Sequence, residues 1–255
     1  MKRLTYLTVL TLLALVTFIS SCKKDEDTDP TPTAPTNSAP TASTPSDADG
    51  AFAAIKTITI QEVPFVGNVE VEIGTAAAWF GAPNAWVDGG SVDCNTKSLT
   101  KQSNNSYIFT PSATDQTGVD FSGGSADWTI GGNASNSVPA FNFNHCCSYP
   151  DVNGITASDE ISTGSDYTLT ATGFVTGADS VIFVIAGPDN HILKVMPPNT
   201  SSCLFTAAEM ATLGTGSNVG LLQIAPYSLT STIQSGKKYY FVKETVVSKF
   251  VSLSN

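Results

Sequence analysis

The chain has 255 residues, of which only 13% are charged, about half the share of an ordinary soluble domain. Lys+Arg 12 against Asp+Glu 22 leaves a formal charge of -10, and the single arginine is Arg3. Without a cluster of Arg or Lys there is little for a nucleic acid or a phosphate ligand to bind, so those partner classes are excluded.

Residues 1–21 open with Lys2 and Arg3, continue as a Leu/Thr/Val stretch and end in Phe18-Ile19-Ser20-Ser21, with Cys22 next. The run is shorter than the about 20 apolar residues of a membrane span and exits through small residues, which predicts a secretory signal peptide. Ile19-Ser20-Ser21-Cys22 resembles the lipobox of bacterial lipoproteins, with Ile19 where leucine is usual. That resemblance implies cleavage before Cys22 and lipidation of its thiol, and each buried CH₂ of an acyl chain contributes about 0.8 kcal/mol to anchoring. Lys23-Lys24-Asp25-Glu26-Asp27 is similar to the export tag of Bacteroidota surface-exposed outer-membrane lipoproteins. The implied location is the outer membrane, lipid-anchored, with the body facing the cell exterior.

Residues 22–50 carry Pro30, Pro32, Pro35, Pro40 and Pro45 among Thr, Ala, Ser and Asp, with almost nothing to bury. They predict a disordered Pro/Thr-rich tether, extended where polyproline II prevails at about 3.1 Å per residue. Asp47-Ala48-Asp49-Gly50 has the acidic spacing of a calcium loop but lacks its closing bidentate Glu, and reads as a turn. Asp151-Val152-Asn153-Gly154 reads the same way.

From Ala51 onward strand signals dominate, and the chain is expected to be all-β, with two antiparallel β-sandwich modules at 51–149 and 150–255. In the first, Ile55–Ile60 and Val69–Ile73 alternate as half-buried strands do, and Tyr107–Phe109 is rich in β-formers. Ala76–Phe80, Gly90–Cys94, Asp127–Ile130 and Pro139–Asn144 are further strand candidates, separated by Gly/Asn turns. Trp128 to Gly132, leading to Val138 to Phe141, resembles the opening β-module of Bacteroidota lipoproteins. Trp79 and Trp128 fall in strands and are expected in the core. Trp86, between Gly81-Ala82-Pro83 and Asp88-Gly89-Gly90, is expected on a loop, where an aromatic ring is a candidate binding residue.

With Cys22 lipidated, Cys94, Cys146, Cys147 and Cys203 remain as disulfide candidates with three possible connectivities. A bond between adjacent cysteines is strained, so the favoured arrangement has Cys146 and Cys147 bridging separately to Cys94 and Cys203, with free thiols or a vicinal bond as alternatives. A metal site centred on His145, Cys146 and Cys147 is the rival reading, although strand neighbours point to opposite faces.

The second module is expected to hold strands at Ile155–Ile161, Asp166–Thr172, Ser180–Ile185, His191–Val195, Val219–Ile224 and Tyr239–Val247. One short helix follows Thr206, whose Thr-x-x-Glu spacing to Glu209 is a capping box, with Gly214 as a stop. Asp179 to Val184, Phe205 to Leu213 and Gly236 to Val242 together resemble an immunoglobulin-like module of bacterial surface proteins, without the Cys…Trp…Cys signature.

The function expected from these features is non-catalytic: a surface lipoprotein displaying β-sandwich modules for binding or adhesion, with no cofactor. Its partners are the membrane, through the lipid anchor, and a protein or glycan at the cell exterior. One alternative is a secreted carbohydrate-processing enzyme, which needs two facing carboxylates from among Glu62, Glu70, Glu72, Asp159, Glu160 and Glu209. No G-x-S-x-G elbow is present for nucleophilic hydrolysis. The other alternative is the metal-binding module at His145, Cys146 and Cys147.

Overall fold

The computed structural model describes residues 45–255 apart from 64, 66, 83 and 84, so the expected signal peptide, Cys22 and most of the tether lie outside the described residues. The described chain is all-β. Along its first part run β1 (Gly50–Val63), β2 (Gly67–Ala82), β3 (Ala85–Val87), β4 (Val92–Cys94), β5 (Lys97–Ser98) and β6 (Thr100–Lys101). They are followed by β7 (Tyr107–Phe109), β8 (Ala126–Ile130) and β9 (Phe141–His145). After residue 150 come β10 (Ile155–Thr156), β11 (Glu160–Ser162), β12 (Tyr167–Ala171), β13 (Ser180–Ala186), β14 (His191–Met196) and β15 (Ser202–Phe205). The one-turn helix α1 (Ala207–Met210) and two long strands, β16 (Gly216–Gln234) and β17 (Lys237–Ser254), complete the chain.

A ten-stranded sheet takes strands from both sides of residue 150, in the order β14-β13-β16-β17-β1-β2-β7-β6, with β11 beside β17 and β3 beside β2. Its centre is a parallel pair: β1 runs alongside β17 from Gly50↔Tyr239 to Thr59↔Ser248. Where β1 leaves off, β11 takes up the same edge at Glu160↔Ser252. Two smaller sheets, β5-β4-β8-β9 and β10-β12-β15, complete the architecture.

The odd-numbered side chains of β17 show how the layers meet. Tyr239 and Phe241 join Phe52, Phe80 and Trp128 in a core shared with the four-stranded sheet. Val247, Val251 and Leu253, further along the same face, join Leu169, Phe183 and Phe205 in a second core shared with the three-stranded sheet. Phe241 is sandwiched between Phe52 and Phe143, with ring centroids at 4.6 and 3.9 Å. The even-numbered face is apolar too: Val242 and Val246 cluster with Ala53, Ile55, Ala77 and Ile182. A strand apolar on both faces is what a central position in a covered sheet demands.

Most expected strands are present, with different limits. Val69–Ile73 and Ala76–Phe80 fuse into β2 because Gly74 does not end the strand; instead it admits another backbone. Its N–H donates to Thr117 O (2.8 Å), its carbonyl accepts from Val119 N (3.0 Å), and a Cβ there would lie 1.8 Å from Val119 O. Ile155–Ile161 divides, since β10 belongs to the three-stranded sheet and β11 to the large one. The expected strand at Val219–Ile224 extends through the hydroxyl-rich stretch to Gln234. The helix after Thr206 forms with both capping-box hydrogen bonds.

The described end of the expected tether is fastened to β17. Asp47 accepts from Lys238 Nζ and Tyr240 OH, each at 2.8 Å, and Asp49 accepts from the Lys238 backbone N–H at 2.8 Å. These two carboxylates thus serve as structural acceptors in the turn before β1.

Candidate functional site

Trp86 lies on a strand and not on a loop, which corrects the sequence expectation. β3 pairs back antiparallel on the end of β2, with Gly81 opposite Trp86; Gly81 holds a φ of 92°, reached at little cost without a side chain. That pairing sets Trp86 beside Trp79, with ring centroids 6.0 Å apart and planes inclined at 36°. Both indoles are half-buried, so Trp79 is not fully in the core. Trp128 is, at 1% exposure.

The segment after Trp86 is held by polar contacts. Asp88 accepts from Tyr107 OH (2.7 Å), from the Gly90 N–H (2.8 Å) and from Lys101 Nζ. Tyr107 OH in turn accepts from the Gly89 N–H at 2.9 Å. Asn105 donates to the Trp86 carbonyl (3.0 Å) and Asn136 to that of Asp88 (2.9 Å). Lys101, then Tyr107 and Gly90, hold the Asp88 carboxyl far below the usual carboxylate range. Burial, aided by Asp88, pushes the Tyr107 phenol up to about 12. The result is a pair of inclined aromatic faces on a braced support, suited to covering a flat, weakly polar ligand surface.

The cysteines depart from expectation. Among the described residues no disulfide is formed, which corrects the arrangement of two bridges from Cys146 and Cys147 to Cys94 and Cys203. Cys94 on β4 and Cys203 on β15 are each buried in a different core, whereas Cys146 and Cys147 are exposed on the turn after β9. Instead Cys146 and Cys147 face each other, with Sγ atoms 2.6 Å apart. Burial pushes the Cys94 thiol far up and the Cys203 thiol up.

His145 does not join the thiols. It lies opposite Ala126 at the end of β9, with 9% exposure and, among the described residues, no hydrogen-bond partner for Nδ1. Burial and then the charge of Lys243 bring its pKa down to about 4. Among the described residues no three His, Cys, Asp or Glu gather as a metal-holding group.

Of the carboxylates considered for catalysis, Glu209 is committed to the helix cap and to Lys194 (2.7 Å), and Asp159 pairs with Lys249 (3.1 Å). Glu70, Glu72 and Glu160 are exposed, and the Glu62 side chain lies outside the described residues.

Sequence reasoning missed Lys243 and Glu244, both buried on β17. Their signal was present: Tyr239 to Val247 is apolar apart from this opposite-charge pair and Thr245. Lys243 Nζ donates to four carbonyls, those of Cys146 and Cys147 at 2.7 Å and of Gly124 and Ser148 at 3.1 Å. Glu244, at 0% exposure between Ile55 and Tyr227, finds no hydrogen-bond partner among the described residues for either carboxyl oxygen, and burial raises its pKa well above the ordinary range.

Compared with models of known protein families the chain matches none, and no curated protein matches it.

Proposed function

We propose that this protein is a non-catalytic, surface-exposed outer-membrane lipoprotein, anchored through Cys22, whose body binds a glycan. The halves at 51–149 and 150–255 act as two immunoglobulin-like β-sandwich modules built on a shared large sheet, and the tether gives them clearance from the membrane. The observation carrying the binding assignment is the Trp79–Trp86 pair: two half-buried indoles, 6.0 Å apart and braced by the Asp88 network. Pyranose rings present flat C–H faces that such indoles cover, and recognition of this kind needs neither arginine nor a dense charge cluster, in keeping with the composition. The lipid anchor and outward location rest on the lipobox-like Ile19 to Cys22 and the acidic tag after it.

The test is a glycan-array screen of the full chain in detergent, followed by titration of the retained glycan against Trp86→Ala and Trp79→Ala. Losing one stacking face is expected to weaken binding by about tenfold, the equivalent of ~1.4 kcal/mol. Retention of full affinity by both variants, or capture of a protein ligand that competes with no glycan, would remove the glycan assignment.

A further inference from the structure

We propose that Cys146 and Cys147 form a reversible dithiol–disulfide couple that exchanges with small-molecule disulfides. Both cysteines are exposed, with sulfurs 2.6 Å apart. In an extended strand neighbouring side chains point to opposite faces, and here the alternation is broken by Cys147, whose φ is 74°. This backbone is held from below. Lys243, 1% exposed, donates to the carbonyls of Cys146, Cys147, Ser148 and Gly124, with the Tyr149 ring 5.1 Å away. Lys243 is therefore a positioning residue, fixing both cysteine backbones while leaving both sulfurs accessible.

Covalent geometry makes the couple reversible. Adjacent Cα atoms across a trans peptide are about 3.8 Å apart, short of the about 4.4–6.8 Å of ordinary disulfides, and no cis peptide occurs among the described residues. A ring closed between neighbours is thus constrained, and constrained, exposed disulfides are the readily reduced ones. Cys94 and Cys203 stay out of the exchange, because burial both shields them and favours their thiol form.

The chemistry balances as two successive displacements. One cysteine thiolate attacks a sulfur of the external disulfide RS–SR, breaking that bond and releasing RS⁻. The second cysteine, after giving its proton to water, attacks the cysteine sulfur of the mixed disulfide and releases the other RS⁻. Two protein thiols lose two electrons in total, and one RS–SR becomes two RSH.

The experiment incubates the full chain in detergent with glutathione buffers of increasing oxidised fraction, quenches with acid, alkylates, and weighs the peptide carrying residues 146 and 147. The expected product is a peptide two hydrogens lighter that carries neither alkyl group nor glutathione and is reopened by excess reduced glutathione. Cys146→Ser and Cys147→Ser should each stop at a glutathione adduct on the remaining thiol. Glutathione on both cysteines of the wild type, a bridge from either to Cys94 or Cys203, or two thiols that remain alkylatable throughout would each overturn the proposal.

Discussion

Between Val242 and Thr245 the last strand carries two opposite charges, and the alternation of side chains sends Lys243 to one face of the large sheet and Glu244 to the other. Lys243 offsets its lost hydration with four carbonyl acceptors. Glu244 has no such partner among the described residues, and burial makes its carboxyl keep its proton well above the ordinary value of 4.5. Above that pH the folded chain holds a proton that the unfolded chain has lost, and stability falls by ~1.4 kcal/mol per pH unit until the folded-state pKa is passed. His145 works in the opposite sense: with its pKa lowered from 6.5 to about 4, stability falls as acidification crosses that interval. The two slopes oppose each other between 4.5 and 6.5; above 6.5 that of Glu244 continues, and towards pH 9 the buried Cys94 and Cys203 thiols, also raised, add slopes of the same sign. Glu244→Gln is therefore expected to remove the decline in urea-unfolding stability between about pH 6.5 and 8, below the range of the buried thiols, matching the wild type near pH 4.5 and exceeding it at pH 8. Parallel pH profiles for the two proteins would contradict this account.

Among the elements, β2 depends on a single missing side chain. Gly74→Ala forces a methyl group onto Val119 O and threatens the two hydrogen bonds that tie residues 117–119 to the strand. The expected loss is about 2–3 kcal/mol, read as a lower urea midpoint. Gly123→Ala, where the added atom meets nothing within 4 Å, is the control and should stay within about 0.5 kcal/mol. β1, β7, β12 and the cap of α1 were legible because alternation and turn chemistry are local. Ser228–Ile233 was not, since hydroxyl-rich residues give no apolar rhythm and become strand only by pairing with Lys238–Lys243 across the hairpin. The parallel partnership of β1 with β17 has no local signal at all. At the candidate site Trp86 could be singled out from its neighbours, but its place beside Trp79 depended on the pairing of β3 with the end of β2, and the facing of Cys146 and Cys147 on a positive φ that the sequence does not announce.

At the scale of the molecule, the shared sheet ties the two apolar cores to the same strands. β17 contributes Tyr239 and Phe241 to one core and Val247, Val251 and Leu253 to the other. Neither half can lose its layer without stripping the other's floor, so unfolding is expected in one transition. All three tryptophans precede residue 150, which makes their fluorescence a probe of the first half, while far-UV dichroism reports the whole. Superimposable urea curves are expected, and two separated midpoints would show that the halves unfold independently. The fastening of residues 47 and 49 to Lys238 and Tyr240 adds a mechanical consequence. A body held by its ligand and pulled through its amino-terminal segment receives the load at the start of β1, a strand gripped by β17 on one side and β2 on the other. Tension along that strand strains both ladders in shear, many bonds at once, instead of peeling them one at a time. The Asp47 and Asp49 contacts are the first to bear it.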